Sequence, residues 1–230
     1  MIRSINAELC IGCGTCGGVK SEETAALCPT EALMVYGKPY TVEALAEELA
    51  QDAPFFRRSG GGVTLSGGEC LAQPEFAAAL AKELHQRGIS VFIDTCGFVS
   101  QQALDGVIPY TDKFLYDLKA VDPQVHRTCT GQDNTLILEN LRYLSEKGCR
   151  IEIRIPLVVG CNDGELNAMG SLLRGMPGVE KVKVLRYHNL AASRYEALDM
   201  ECTLPEAKTT QTHVDDAVAL LQTYGLNAVC

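Results

Sequence analysis

The chain has 230 residues, is 47% hydrophobic and carries a net charge of -9. This is enough apolar material for one large core, and nothing in it forms a basic footprint for a phosphate backbone or an anionic leaflet, so nucleic-acid and membrane-surface binding are excluded as expectations. No apolar run reaches the roughly 20 residues that cross a bilayer and the opening MIRSINAELC has no signal-peptide core, so the chain reads as cytoplasmic. Eleven cysteines, an odd number, then argue for metal ligation by some of them rather than for a disulfide framework.

The first feature along the chain is CIGCGTCGGVKSEETAALCP, residues 10–29. Cys10, Cys13 and Cys16 are spaced C-x2-C-x2-C with Gly12 and Gly14 between them, and Cys28 precedes Pro29. Two-residue spacers let a tight turn aim successive thiolates at one centre, and glycines let backbone N–H groups approach inorganic sulfide, so an iron-sulfur cluster is favoured over the alternative, a zinc loop. PTEALMVYG after Cys28 reads as a turn and a short strand.

From Thr41 the pattern becomes alternating helix and strand. TVEALAEELA places apolar residues at 42, 45, 46 and 49 on one helical face, with Thr41 as N-cap. Five apolar segments, GGVTLSGGE, SVFIDTCG, KFLYDLK, IEIRIPLVV and KVKVLRYH, recur at about 25 to 35 residues, the length of a strand plus a crossover helix. Helical faces fill the gaps: Phe76, Leu80 and Leu84; Ile137, Leu141 and Leu144, closed by Gly148; and Val214, Val218, Leu221 and Tyr224, closed by Gly225. The expected fold is α/β, a parallel sheet with helices outside, open or barrel-like. Residues 1–40 would form a small cluster unit and 41–230 the main body.

Glu69, Asp94, Asp117 with Lys119, Arg154 and His188 fall at or near the C-terminal ends of successive strands, where a barrel-like sheet would gather them at one mouth. Singly, each has a plainer explanation as a helix cap, a solvated charge or a packed histidine; five successive strand ends are harder to dismiss. SGGGVTLSGGE lacks G-x-G-x-x-G, since Leu65 stands at the third glycine's place, and no phosphate-loop motif occurs. Gly67 and Gly68 instead offer a bare turn whose carbonyls suit an ammonium group, with Glu69 beside them.

GGVTLSGGE, FIDTCGF, FLYDLKAVDPQVHRTCTG, IRIPLVVGCND and LRYHNLAASRY, in this order, resemble the activating enzymes of glycyl radical enzymes in the radical S-adenosylmethionine (SAM) superfamily. The resemblance implies an incomplete (β/α)6 barrel with a ferredoxin-like 4Fe-4S insert over 10–35, SAM as cosubstrate, and a protein partner on whose glycine a 5′-deoxyadenosyl radical acts. A reduced flavodoxin or ferredoxin would supply electrons. By the same resemblance Gly67, Gly68 and Glu69 receive the SAM amino group. Asp94, Thr95 and Asp117 match a monovalent-cation site near its carboxylate, Lys119 and His188 match SAM contacts, and Arg154 borders the adenosine.

The superfamily's C-x3-C-x2-C motif occurs nowhere in the 230 residues, and Cys10, Cys13, Cys16 and Cys28 match the insert instead. Five strands are counted rather than six. The chain therefore reads as a partial radical SAM barrel with the first strand missing, N-terminally shortened and catalytically incompetent, with no catalytic residue assigned. The strand around VTL is expected to lie at a sheet edge. Cys70, Cys96, Cys129, Cys149, Cys161, Cys202 and Cys230 are taken as packing or incidental thiols. The alternative is a ferredoxin-like electron-transfer or SAM-binding module without radical chemistry.

Overall fold

The computed structural model describes residues 2–6, 8–18, 21–189, 195, 200–203 and 205–230. The chain divides into two units, residues 1–40 with 188–206, and residues 41–187 with 207–230.

In the first unit β1 (Ile2–Ile5) pairs antiparallel with β2 (Leu33–Tyr36), from Ile2↔Tyr36 to Ile5↔Leu33. Asn6 N–H donates to the Ala32 carbonyl at 2.8 Å and extends the closure. This hairpin ties both ends of the cysteine-bearing loop. Within the loop, α1 (Glu22–Ala26) starts on a reciprocal cap between Ser21 and Thr24.

The second unit is a six-stranded parallel sheet in strictly sequential order: β3 (Gly62–Leu65), β4 (Ser90–Thr95), β5 (Lys113–Asp117), β6 (Ile151–Leu157), β7 (Val179–Arg186) and β8 (Ala228–Val229). The five apolar segments are β3 to β7. The count of five is corrected to six, because two residues, Ala228 and Val229, add a strand beside β7 after Gly225 ends the last helix. Two residues are too few to carry an alternation. Among the described residues β3 pairs only with β4, so the strand around VTL is an edge.

The intervening helices are α2 (Val42–Ala50), α3 (Ala53–Ser59), α4 (Pro74–Gln86), α5 (Gln101–Val107), α6 (Pro123–Thr130), α7 (Thr135–Glu146), α8 (Leu166–Leu173) and α9 (Gln211–Gln222). Local chemistry sets their ends. Thr41 Oγ1 accepts from Ala44 N–H at 3.2 Å to start α2; Asp122 caps α6 with Pro123 in its first turn. Gly148, at φ +72°, lets Cys149 N–H return to the Leu144 carbonyl at 3.0 Å and stops α7.

Sequential order with right-handed crossovers puts the helices on one side of the sheet. Burial records this directly: β4, β5 and β6 alternate between buried and half-buried residues. The buried face, Ile93, Phe114, Tyr116, Ile153, Ile155 and Val184 among others, packs on Leu80, Leu84, Leu104, Leu141, Leu144, Met169 and Leu221 from the helices. Each such leucine contributes about 2 kcal/mol by leaving water. The other face, with Phe92, Asp94, Leu115, Asp117, Glu152 and Arg154, stays half-exposed. That face and the strands' C-terminal ends carry the site.

One disulfide departs from the sequence expectation. Cys129 at the end of α6 and Cys161 after β6 are bonded, with Cα atoms 6.1 Å apart. Their 32-residue separation hides the pairing, which tertiary approach alone creates.

Candidate functional site at the strand ends

β3 runs out into Ser66, Gly67 and Gly68. Gly67 sits at φ +132°, a conformation open to glycine, and a Cβ on either glycine would meet no atom within 4 Å. Space therefore stands open on the Cβ side of both glycines. Glu69 follows and its carboxylate faces inward. Oε2 accepts from Thr95 Oγ1 at 2.9 Å, Cys96 N–H at 3.0 Å and Cys96 Sγ at 3.2 Å; Oε1 accepts from Leu71 N–H at 3.1 Å and Cys70 Sγ at 3.9 Å. Glu69 is thus both the cap of the following 3-10 turn, Cys70–Ala72, and a latch binding the end of β3 to the end of β4.

The two thiols are donors in this latch. Burial first, then the Glu69 and Asp94 charges, push the Cys70 thiol up to about 12. Burial also raises Cys96, against a lowering contact from the Phe98 backbone. Both stay protonated at neutral pH and can serve the carboxylate.

Asp94 and Thr95 are adjacent on β4 and so point to opposite faces. Thr95 is 2% exposed and spends its hydroxyl on Glu69, while Asp94 lies on the half-exposed face. There Asp94 Oδ2 accepts from Ser66 Oγ at 2.8 Å, and Oδ1 lies 2.8 Å from Arg154 Nη1. Arg154 Nε stands 4.0 Å from Asp117 Oδ1, and Lys119 Nζ 3.6 Å from Asp117 Oδ2. Ser66, Asp94, Arg154, Asp117 and Lys119 form one chain across the ends of β3 to β6. Burial raises the Asp117 pKa, and Lys119 and Arg154 offset this only in part. Two cations face two carboxylates here, and Lys119 retains the greatest exposure of the four, 36% of its side chain.

His188 follows β7, is exposed, and belongs to the first unit. Residues 190–194 of the LRYHNLAASRY motif lie outside the described residues.

Several positioning groups went unread in the sequence. Buried Asn140 on α7 donates its amide to the carbonyls of Gly97 at 2.9 Å and Val99 at 2.7 Å. Buried Asn134 donates to Ala120 and Val121, each at 3.0 Å. Asn162 donates to the Lys119 carbonyl at 2.8 Å and Pro156 at 2.9 Å. Asparagine in sequence signals turns, so its use as a buried clamp on loop carbonyls is invisible until the fold supplies the carbonyls. Gly97, at φ +73°, also has no room for a Cβ, which would overlap the Tyr116 hydroxyl; that hydroxyl donates to the Ile137 carbonyl at 2.6 Å.

Cys10, Cys13, Cys16 and Cys28 of the first unit are exposed or half-exposed. The Thr15 hydroxyl and then its N–H hold the Cys13 thiol below its usual range, and the backbone groups of Leu33 and Thr30 do the same for Cys28. The charge of Cys28 is felt at Cys13. Among the described residues no group of three or more His, Cys, Asp or Glu side chains stands close enough to hold a metal ion. The donor set nonetheless fits an iron-sulfur cluster in kind: accessible thiols, two of them biased toward thiolate, on a loop turned by positive-φ glycines at 12, 14, 17 and 18 and closed at both ends.

Comparison with known proteins places this arrangement. The sequence profile of the radical SAM superfamily matches residues 12–173. The chain is 36% identical over 207 residues to the isethionate sulfite-lyase activating enzyme of Oleidesulfovibrio alaskensis, covering 88% of this chain and 64% of that protein. It is 40% identical over 178 residues to the choline trimethylamine-lyase activating enzyme of the same organism, covering 75% and 57%. The chain thus spans less than two thirds of the length of these curated relatives. A solved domain of pyruvate-formate lyase-activating enzyme from Bacteroides vulgatus superposes with a TM-score of 0.62 at 31% identity, covering 74% of this chain and 98% of that one. With its one-sided parallel sheet and its charged strand ends, the chain belongs to the radical SAM superfamily, in the branch of the glycyl radical enzyme activating enzymes.

Proposed function

We propose that the chain serves the activation of a glycyl radical enzyme, with SAM bound at the strand ends of its parallel sheet. The observation that carries this reading is the chain Ser66–Asp94–Arg154–Asp117–Lys119 beside the open Gly67–Gly68 turn. SAM presents an ammonium and a carboxylate on one carbon. The bare carbonyls at 67 and 68 suit the ammonium, with the Glu69 charge behind them but its oxygens already engaged. Lys119 and Arg154 suit the carboxylate. Asp94 and Asp117 hold those cations in place and are the carboxylates available to a monovalent cation, while Thr95 acts from the other face through Glu69. His188, just after β7, is assigned to SAM as well.

Cys10, Cys13, Cys16 and Cys28 are proposed to hold an auxiliary 4Fe-4S cluster, which when bound supplies single electrons at low potential. The protein partner is a glycyl radical enzyme and the electron source a reduced flavodoxin or ferredoxin. C-x3-C-x2-C is not among the 230 residues, so the role proposed for these residues is to bind and orient SAM.

Titration of SAM into the full chain, followed calorimetrically under anaerobic conditions, tests the reading. Saturable one-to-one binding that weakens about tenfold in Lys119→Met, the loss of one charge-assisted contact, is the expected result. No uptake by the unaltered chain, or equal affinity in the variant, would rule the site out.

A further inference from the structure

We infer that Asn140 is a positioning residue for the SAM pocket, acting through Gly97 and Thr95 on Glu69; the inference rests on the SAM reading above. Asn140 is fully buried on α7, between residues that serve the core. Its position is a poor one for stability alone. Asparagine is a weaker helix former than leucine, and its Oδ1 is buried without a hydrogen-bond partner among the described residues. Leucine at 140 would suit helix and core better, so the amide's return must come from what it holds.

It holds one turn. Both amide protons go to the loop after β4, to the carbonyls of Gly97 and Val99. Gly97 N–H in turn donates to Thr95 Oγ1 at 2.9 Å, and that hydroxyl donates onward to Glu69 Oε2 at 2.9 Å. Cys96 N–H reaches the same Glu69 oxygen at 3.0 Å. Asn140, Gly97 and Thr95 therefore form a line of hydrogen bonds, passing through the carbonyl and the N–H of Gly97, that runs from a core helix and ends on the accepting carboxylate of Glu69, the residue that follows the Gly67–Gly68 turn. None of its links touches the open space beside the glycines. The line instead fixes the direction in which Glu69 leaves the turn, and with it the two carbonyls offered to the ligand.

The test uses the full chain, with Asn140→Leu and the milder Asn140→Ser, which leaves room for a water in place of the amide. Two readouts are taken on each folded variant: amide hydrogen exchange at Cys96 and Gly97, and calorimetric affinity for SAM. Both amides should exchange about tenfold faster while amides of the β5 and β6 core strands keep their rates, and the SAM Kd should rise about tenfold. A structural role alone would speed exchange throughout the core or leave SAM affinity unchanged at equal melting temperature. Unchanged exchange at both amides overturns the relay, as does unchanged affinity in a variant whose exchange has risen. Failure of the unaltered chain to take up SAM overturns the ligand assignment instead, and the exchange readout still decides whether the line of bonds governs the turn.

Discussion

Arg154 on β6 reaches over β5 to bring its Nη1 within 2.8 Å of Asp94 on β4, although Asp117, its lateral partner in the sheet register, lies 4.0 Å from its Nε. One guanidinium therefore serves two half-buried carboxylates, at full contact with the farther strand. Replacing it by Leu leaves Asp94 and Asp117 facing each other with Lys119 as the remaining cation in this chain of charges. The Arg154→Leu protein should be less stable by about 1 to 2 kcal/mol at pH 7, a loss that shrinks toward pH 3 as Asp117, its pKa raised by burial, protonates. Chemical denaturation at both pH values measures it; an equal loss at both would show that packing rather than charge is involved.

Asp117 itself has a pH signature. Burial raises its folded-state pKa above the ordinary 3.8. The folded chain then keeps a proton that the unfolded chain has released, so this group's contribution to stability is complete below 3.8 and is lost as pH rises through the folded value. Asp117→Asn removes the titration with little change of shape. Its melting temperature should exceed the parent's at pH 7 and show no gain at pH 3.

Gly67 and Gly68 should separate backbone strain from ligand clearance. Ala at 67 must adopt φ +132° and should lose about 1 to 3 kcal/mol of stability. Ala at 68 meets no atom within 4 Å and should leave stability unchanged, yet put a methyl group where the ligand comes. Thermal melts with and without SAM distinguish them: Gly68→Ala should melt like the parent alone and lose the SAM-induced rise.

The Glu69 latch predicts a thiol phenotype. In Glu69→Gln the negative charge that helps hold the Cys96 proton is gone, so the Cys96 pKa falls and its alkylation at pH 8 accelerates. Mass spectrometry of iodoacetamide-treated protein reads the site directly. A Cys96 rate equal to the parent's would mean that burial alone sets its pKa.

Gly97 and Tyr116 should be coupled. Gly97→Ala overlaps the Tyr116 hydroxyl and strains φ, and should lose about 3 kcal/mol or more, whereas Tyr116→Phe loses one buried hydrogen bond, about 1 kcal/mol. The double variant should recover part of the Gly97→Ala loss, since removing the hydroxyl relieves the overlap. Strict additivity would refute the contact.

Most of this architecture was legible in the sequence because it rests on periodicity. VFIDT, FLYD and IEIRIPL alternate so regularly that strand and face follow from spacing, and Thr41, Gly148 and Gly225 mark helix ends by their own chemistry. The grouping of strand-end charges was legible too, once parallel order was inferred. Three things were not. β8 is two residues long, too short to display a pattern. Asp94 and Thr95 were read as one site, whereas the pleat sends Thr95 into the latch with Glu69. Asn134, Asn140 and Asn162 bind carbonyls 14, 43 and 43 residues away at their farthest bonds, and the Cys129–Cys161 bridge spans 32. Each of these depends on which loops the fold brings together.

The single-sided cover of helices has a thermodynamic corollary. Phe92 and Leu115 sit on the sheet face that remains half in contact with solvent, so whatever occupies it completes a layer and withdraws apolar surface from water. Occupancy then adds to folding free energy in proportion to the logarithm of ligand concentration, and the transition midpoint becomes a titration curve. Preparations stripped of small molecules should accordingly melt earlier.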